Sequence, residues 1–273
     1  MPKSFLSWQG GKARLMPQLL PHFPSRIRNY YEPFLGGGAV ALMIAPRAEG
    51  LILSDINPCL VNAWQCVREN PEGMTELMKW HKVQHDRGHH RKTESGHYYA
   101  MRDLYNQQRG WGLEPAARFV YLTKTCFNGG WRANRQGIIN VPLGDKCYIP
   151  DFAAVANRIA SAAIVHSGYE IIAGAEYGDT IYLDPPYYAD REIASDYGVG
   201  AFSKADRARM VALAVEAGRR GVTIVGSDLD TPYTRALYGS AGFALESFDY
   251  IYCVGGTQKA RFISTELIYR NLL

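Results

Sequence analysis

Apolar positions along the chain fall into two textures. Of the short apolar runs, Thr180-Ile181-Tyr182-Leu183 reads as a buried strand and Leu51-Ile52-Leu53-Ser54-Asp55 as a strand ending in an acid. Tyr30-Tyr31-Glu32-Pro33-Phe34 reads as a further strand, running through Leu35-Gly36-Gly37-Gly38 into a helix over 39–46. Helical signals also cover 58–69 and 204–219, the second opened by Ser203 as N-cap. Strands are expected at 163–166, 223–227, 243–252 and 261–269, the last two as an antiparallel hairpin closing the sheet edge. Strands flanked by helices predict an α/β fold with crossover connections. Between Cys66 and Cys147 the texture changes: helices are expected over 71–85, 94–109 and 114–125, then a loop rich in Gly and Asn through Pro150. This predicts a mainly helical domain, 66–146, inserted between two parts of the sheet domain, 1–65 and 147–273. No internal repeat or low-complexity segment interrupts the pattern.

The 273 residues suffice for one large α/β domain plus the insert. No apolar run is long enough to cross a bilayer, and no signal peptide is read ahead of Phe5. Five widely spaced cysteines, Cys59, Cys66, Cys126, Cys147 and Cys253, form no C-x-x-C pair and read as free thiols of a reducing cytoplasm. The net charge is only +4, but it is unevenly spread: residues 66–146 hold 13 Lys/Arg against 8 Asp/Glu, which leaves −1 for the rest. The first 28 residues carry Lys3, Lys12, Arg14, Arg26 and Arg28 and no acid. Clustered cations of this kind suit a phosphate backbone, although a helical insert with a solvated basic face would read the same way.

Candidate chemistry concentrates where strands end. Asp184-Pro185-Pro186-Tyr187 follows a buried strand directly. Two prolines fix φ and remove two backbone donors, so carbonyl acceptors are left beside a carboxylate acceptor and a flat ring. An exocyclic amine of a planar heterocycle carries two donors that such a corner can meet. The glycines at 36–38 permit a sharp turn and close approach of a ligand. Asp55, ending the next strand, is placed for ribose hydroxyls across a crevice. The glycines do not follow G-x-G-x-x-G, so a nucleoside without phosphates fits this turn better than a dinucleotide does.

In this order, these pieces resemble the Dam-type DNA adenine-N6 methyltransferases. The resemblance begins at Trp8-Gln9-Gly10-Gly11-Lys12 and continues through Glu32-Pro33-Phe34-Leu35-Gly36-Gly37-Gly38 and Ser54-Asp55-Ile56-Asn57. It resumes at Phe127-Asn128-Gly129-Gly130-Trp131-Arg132, Asn140-Val141-Pro142-Leu143-Gly144 and Asp184-Pro185-Pro186-Tyr187, and ends at Gly255-Gly256-Thr257 and Thr265-Glu266-Leu267-Ile268. It implies a Rossmann-like class I methyltransferase sheet with an inserted target-recognition domain. It implies S-adenosyl-L-methionine as cofactor, held by Trp8, Lys12, Phe34, Gly36, Gly38, Asp55 and Asp184. It implies that Asp184, Pro185 and Tyr187 hold a target adenine flipped out of double-stranded DNA. Within 125–144 it marks Asn128, Trp131, Arg132, Asn134, Arg135 and Pro142 for DNA, with Arg132 on a base edge and Asn128 near the vacated partner. Relatives that read GATC carry a basic residue before the Trp and an Arg-aromatic pair after Val-Pro-x-Gly; this chain has Ser7 and Asp145-Lys146, so the site it reads stays open.

Rival readings remain at this point. The same acceptors would serve cytosine N4 or an RNA adenine, an idle DNA-binding relative would keep the fold, and a nicotinamide dehydrogenase is disfavoured by the glycine spacing. His81, His85, His89, His90 and His97 invite a metal, but without H-E-x-x-H or a nearby cysteine they read as a solvated, partly cationic face, and no metal is expected. Residues 190–200 read equally as a lid over the pocket or as an ordinary crossover loop. Asp228 is expected at the same sheet edge as Asp184, as support for the site. No obligate protein partner is expected.

Overall fold

In the computed structural model the described residues are 3–88, 96–134, 136–144, 146–187, 202–253 and 261–272. Seven strands form one sheet: β1 (Ile27–Glu32), β2 (Ala48–Asp55), β3 (Ala162–His166), β4 (Thr180–Leu183), β5 (Thr223–Leu229), β6 (Ala244–Cys253) and β7 (Arg261–Arg270). Their order is β3-β2-β1-β4-β5-β7-β6. β1 pairs in parallel with β2 and β4, β2 with β3, and β4 with β5. β7 runs antiparallel to both β5 and β6, which is the expected closing hairpin. β4 lies mid-sheet and all four of its residues are buried, which is why its run is apolar without alternation. The chain moves outward from β1 to β3 and then returns to place β4 against the other side of β1. That reversal opens a crevice at the C-terminal ends of β1 and β4, where open α/β sheets bind ligands.

Helices α1 (Met16–Leu19), α2 (Ala39–Ile44), α3 (Pro58–Glu69), α4 (Pro71–Gly88), α5 (His97–Gln107), α6 (Leu113–Thr125), α7 (Phe152–Arg158), α8 (Lys204–Arg219) and α9 (Pro232–Ser240) cover the sheet. The starts of α3 and α8 follow from their caps. The Asn57 side chain accepts from the amides of Cys59 and Leu60 ahead of Pro58, and Ser203 closes a capping box with Asp206. α7 and α9 were not expected from the sequence; Asp151 caps the first, and a Thr231–Thr234 box starts the second.

Each sheet face carries its own apolar cluster. One gathers Tyr169, Ile172, Met210, Ala214, Tyr238 and Leu267. The other joins Phe5, Leu42 and Trp64 to Met74 and Met78 of α4, Tyr98 and Tyr105 of α5 and Phe119 of α6. Helices from the 66–146 segment thus share one continuous core with the sheet. Among the described residues no helix is long and apolar enough to cross a membrane. Cys59, Cys66, Cys126 and Cys147 are free thiols.

Candidate active site

The sequence Asp184-Pro185-Pro186-Tyr187 emerges from β4 at the mouth of the crevice. Asp184 is held through a single oxygen: Oδ1 pairs with Lys12 Nζ at 2.8 Å and accepts from Ser227 Oγ at 3.2 Å. No hydrogen bond among the described residues engages Oδ2, and the side chain is 18% exposed against 5% for Lys12. Ser227 is itself placed by the Tyr182 hydroxyl at 2.7 Å. Lys12 Nζ also donates to the Gly10 carbonyl at 2.7 Å and lies 4.7 Å from the centroid of the Tyr187 ring. The Tyr187 hydroxyl donates to Glu266, a buried carboxylate on β7. Burial raises the Asp184 pKa above the ordinary carboxylate value; Lys12 is the main influence holding it down, Glu266 pushes it up and Ser227 lowers it. Lys12, expected against the cofactor, therefore contacts the Asp184 carboxylate in this structure.

Across the crevice, β1 ends in the glycine turn. Gly36 (φ 45°) and Gly38 (φ 64°) are left-handed, a conformation that costs an L side chain roughly 1–2 kcal/mol. The Gly36 amide donates to Asp55 Oδ2 at 2.9 Å, and Asp55 Oδ1 accepts the Asn57 amide at 2.9 Å. From below, Trp64 Nε1 donates to the Gly36 carbonyl at 3.0 Å. Trp8 lies so close that a Cβ on Gly36 would stand 3.0 Å from its ring. Burial pushes the Asp55 carboxyl up to about 6, against the lowering influence of these amides. The donor set fits an S-adenosylmethionine: a turn with no side chains in the way, the Trp8 and Phe34 rings at its flanks, and a carboxylate with lone pairs left for a ribose diol.

The 126–144 loop is pinned to the helices beneath it. Asn106 brackets Ile139 with two hydrogen bonds, Nδ2 to its carbonyl at 3.0 Å and Oδ1 from its amide at 2.8 Å. Tyr98 donates to the Val141 carbonyl at 2.9 Å. Arg132 and Pro142 are exposed, and Arg132 has no partner among the described residues. Asn128 is exposed too, at φ 54°, the sole non-glycine residue of positive φ among the described residues. Asn134 spends its side-chain oxygen on the Gln136 and Ile138 amides and so closes the turn. Arg135 lies outside the described residues. Trp131 requires a correction: rather than facing DNA it is 2% exposed, edge-on to Tyr105 and Phe119 at 5.3 and 5.4 Å, because its ring anchors the loop to the core. Gly129 packs against Ser7, where a Cβ would stand 3.2 Å from the Ser7 Cβ. The loop thereby abuts the segment that leads to Lys12 and Asp184.

The histidine reading is also corrected. His81 and His85 are buried, at 4% and 6% exposure. The α4–α6 contact covers them: His81 stacks on Tyr121 at 4.7 Å, its Nδ1 lies 2.9 Å from His97 Nε2, and His85 Nδ1 lies 3.0 Å from the Tyr121 hydroxyl. Burial first, then the neighbouring His97 and Arg118, lowers His81 to about 3, and burial with His85 beside it lowers His97 to about 4, so both are neutral at pH 7. His89 and His90 lie outside the described residues, as do 190–200 and 255–257. No group of three or more His, Cys, Asp or Glu suited to a metal occurs among the described residues.

Sequence reasoning gave no role of their own to Glu32, Ser227, Arg207 and the 51%-exposed Phe127, although Glu32 and Phe127 fall within the motifs above. Glu32 was visible as an acid ending an apolar strand. It is 3% exposed and accepts from the Tyr30 hydroxyl at 2.6 Å. Burial pushes its carboxyl from 4.5 up to about 8; the Tyr30 bond opposes this and Asp184 adds to it. The folded chain therefore keeps a proton that the unfolded chain releases above about 4.5. Stability should fall as pH rises through that window, by at most about 1.4 kcal/mol per pH unit from this group. Glu32→Gln should flatten the slope between pH 5.5 and 7.5 in urea melts; parallel slopes for variant and wild type would refute a protonated Glu32.

A half-engaged carboxylate beside two prolines and a braced glycine turn open together at the switch point of a Rossmann-like sheet, an arrangement that suits a nucleobase-directed methyltransferase. A family model for the D12 class N6 adenine-specific DNA methyltransferases matches residues 8–252. The chain belongs to this family: it is an enzyme that methylates adenine N6 in DNA with S-adenosylmethionine as donor. It is 32% identical to a DNA adenine methylase of Vibrio cholerae, over 88% of this chain and 86% of that one. A type II methyltransferase of Lactococcus lactis subsp. cremoris is 28% identical over 98% and 95%. A DNA adenine methylase of Haemophilus influenzae is 31% identical over 88% and 84%.

Proposed function

We propose that the protein methylates adenine at a short site in double-stranded DNA after flipping the base out of the duplex, and that residues 66–146 choose the site. The adenine amino nitrogen shares its lone pair with the ring and is a poor nucleophile. Asp184 Oδ2 and the Pro185 carbonyl accept its two hydrogens, which concentrates the lone pair on nitrogen, while Tyr187 offers a face for the base. Trp8, Phe34, Gly36, Gly38 and Asp55 hold the cofactor, which supplies a sulfonium-bound methyl group. Aligning amine and methyl supplies most of the acceleration. The N–CH₃ bond forms as the S–CH₃ bond breaks, and the surplus amine proton leaves through Asp184 to water. Lys12 and Ser227 both occupy Oδ1 and so keep Oδ2 aimed outward. Asn128, Arg132 and Phe127 stand exposed on the pinned loop as the surface for the opened duplex.

The observation that carries this reading is the half-engaged Asp184 carboxylate beside a glycine turn braced by Asp55. The test is expression in cells without DNA methylation, digestion of their DNA to nucleosides, and mass spectrometry with strand-resolved mapping. N6-methyladenine at one recurring short motif is expected. N4-methylcytosine, or methyl groups found only in RNA, would overturn it.

A further inference from the structure

Arg207 sits in the first turn of α8, 1% exposed, and reaches the back of the acceptor corner. Its Nη2 donates to the Pro186 carbonyl, and its Nη1 donates to Asp228 and, at 3.3 Å, to the Tyr238 hydroxyl. Asp228, fully buried on β5, is completed by the Tyr238 hydroxyl and the Leu229 amide, both at 2.8 Å. The guanidinium lies 5.5 Å from the Phe202 ring, whose edge meets Phe34 at 5.6 Å. One side chain thus touches the acceptor corner and, through Phe202, the cofactor wall.

Stability does not account for this arrangement. Desolvating two charges usually costs about as much as their attraction returns, so an apolar pair of equal volume would hold α8 on β5 as well or better. A cation in a helix's first turn also opposes the helix dipole. The Pro186 bond, however, has a specific consequence. Proline rings fix φ at 185 and 186, and the Pro186 ring also confines ψ at 185 to the extended region, so the Pro185–Pro186 unit is stiff. Holding the Pro186 carbonyl fixes where that stiff unit sits on the sheet edge, and with it where the Pro185 carbonyl points.

We propose that Arg207, backed by Asp228, is a positioning residue that locks the Asp184–Tyr187 segment so that the Pro185 carbonyl and the Asp184 carboxylate meet the target amine together. This rests on the amine-gripping role given to those two acceptors above. Misplacing a reacting group by about 1 Å costs roughly 100-fold in rate.

The test pairs two variants with the wild-type enzyme, assayed on DNA with separate readings of kcat, KM for DNA, cofactor affinity and Tm. R207M/D228L removes both charges at similar volume and should stay folded; its kcat should fall by about 100-fold while KM and cofactor affinity change less than about threefold. R207K keeps a donor for Pro186 and should recover most of the rate. A folded R207M/D228L with wild-type kcat would overturn the proposal, as would a loss expressed equally in KM and kcat or an R207K as slow as the double variant. The wild-type product reports on the parent reading separately. Were it N4-methylcytosine, the adenine assignment would fall while the ratio of rates still judged Arg207, because either amine needs both acceptors.

Discussion

Asp184→Asn should lower kcat by at least about 100-fold, the scale of removing one preorganised group that interacts with developing charge, while leaving KM for DNA and cofactor affinity near wild type. Asn matches the carboxylate in shape but lacks its charge, and half of its fork donates instead of accepting. The amine then meets one acceptor fewer, and the surplus proton has no base. Asn is a cleaner probe than Ala: Lys12 Nζ keeps the Gly10 carbonyl and the Tyr187 ring, and an amide oxygen fills the position of Oδ1. Stopped-flow or quenched assays under single-turnover conditions isolate the chemical step. Turnover within a factor of two of wild type would remove Asp184 from the mechanism. The companion change, Lys12→Met, takes away the charge that most opposes the upward push of burial on Asp184. Its rate should therefore lose activity on the acid side at a higher pH than wild type does.

Much of the sheet was legible because its signals are local. A four-residue apolar run can be buried on both faces only in mid-sheet, and β4 lies there between β1 and β5. Asn57 and Ser203 announce their helices by side-chain chemistry that acts within three residues. α9 is different. Its nine residues carry Tyr, Thr and Gly, and the helix is held by a threonine box and by Tyr238 stacked 3.8 Å from Tyr269 of β7, a contact that only the folded sheet supplies.

The site divides along the same line. Asp184, Asp55 and the glycine turn each end a strand, and parallel pairing brings such ends to one edge, so their convergence could be anticipated. What holds them could not. The Lys12–Asp184 pair, the Ser227 bond and the Arg207–Pro186 contact join segments distant in the chain, and no spacing rule links them. The histidines and Trp131 were misjudged for the same reason: polar or aromatic composition says little about which face a neighbouring helix will cover. Once α6 lies on α4, Tyr121 covers His81 and His85, and Phe119 receives Trp131.

Gly38→Ala should lower stability by about 2–5 kcal/mol, from overpacking and left-handed backbone strain combined. Gly38 caps α2 at φ 64° and ψ 24°, and a Cβ there would stand 2.3 Å from Trp64 Cζ2 and 2.5 Å from Cη2. Trp64 cannot easily retreat. It is fully buried, its ring meets Phe5 edge-on at 4.5 Å, and its Nε1–H holds the Gly36 carbonyl. Moving the indole would break that bond and unseat the turn that Asp55 braces from above, so cofactor affinity should fall with stability. Gly242→Ala supplies the comparison: φ there is 86°, yet nothing lies within 4 Å of the added Cβ, so this variant carries backbone strain alone, about 1–2 kcal/mol. Urea midpoints for the two variants, with calorimetric titration of S-adenosylmethionine, separate the contributions. If Gly38→Ala were no less stable than Gly242→Ala, the indole would have to be free to move, and the glycine turn would owe its shape to Asp55 rather than to the packing beneath it.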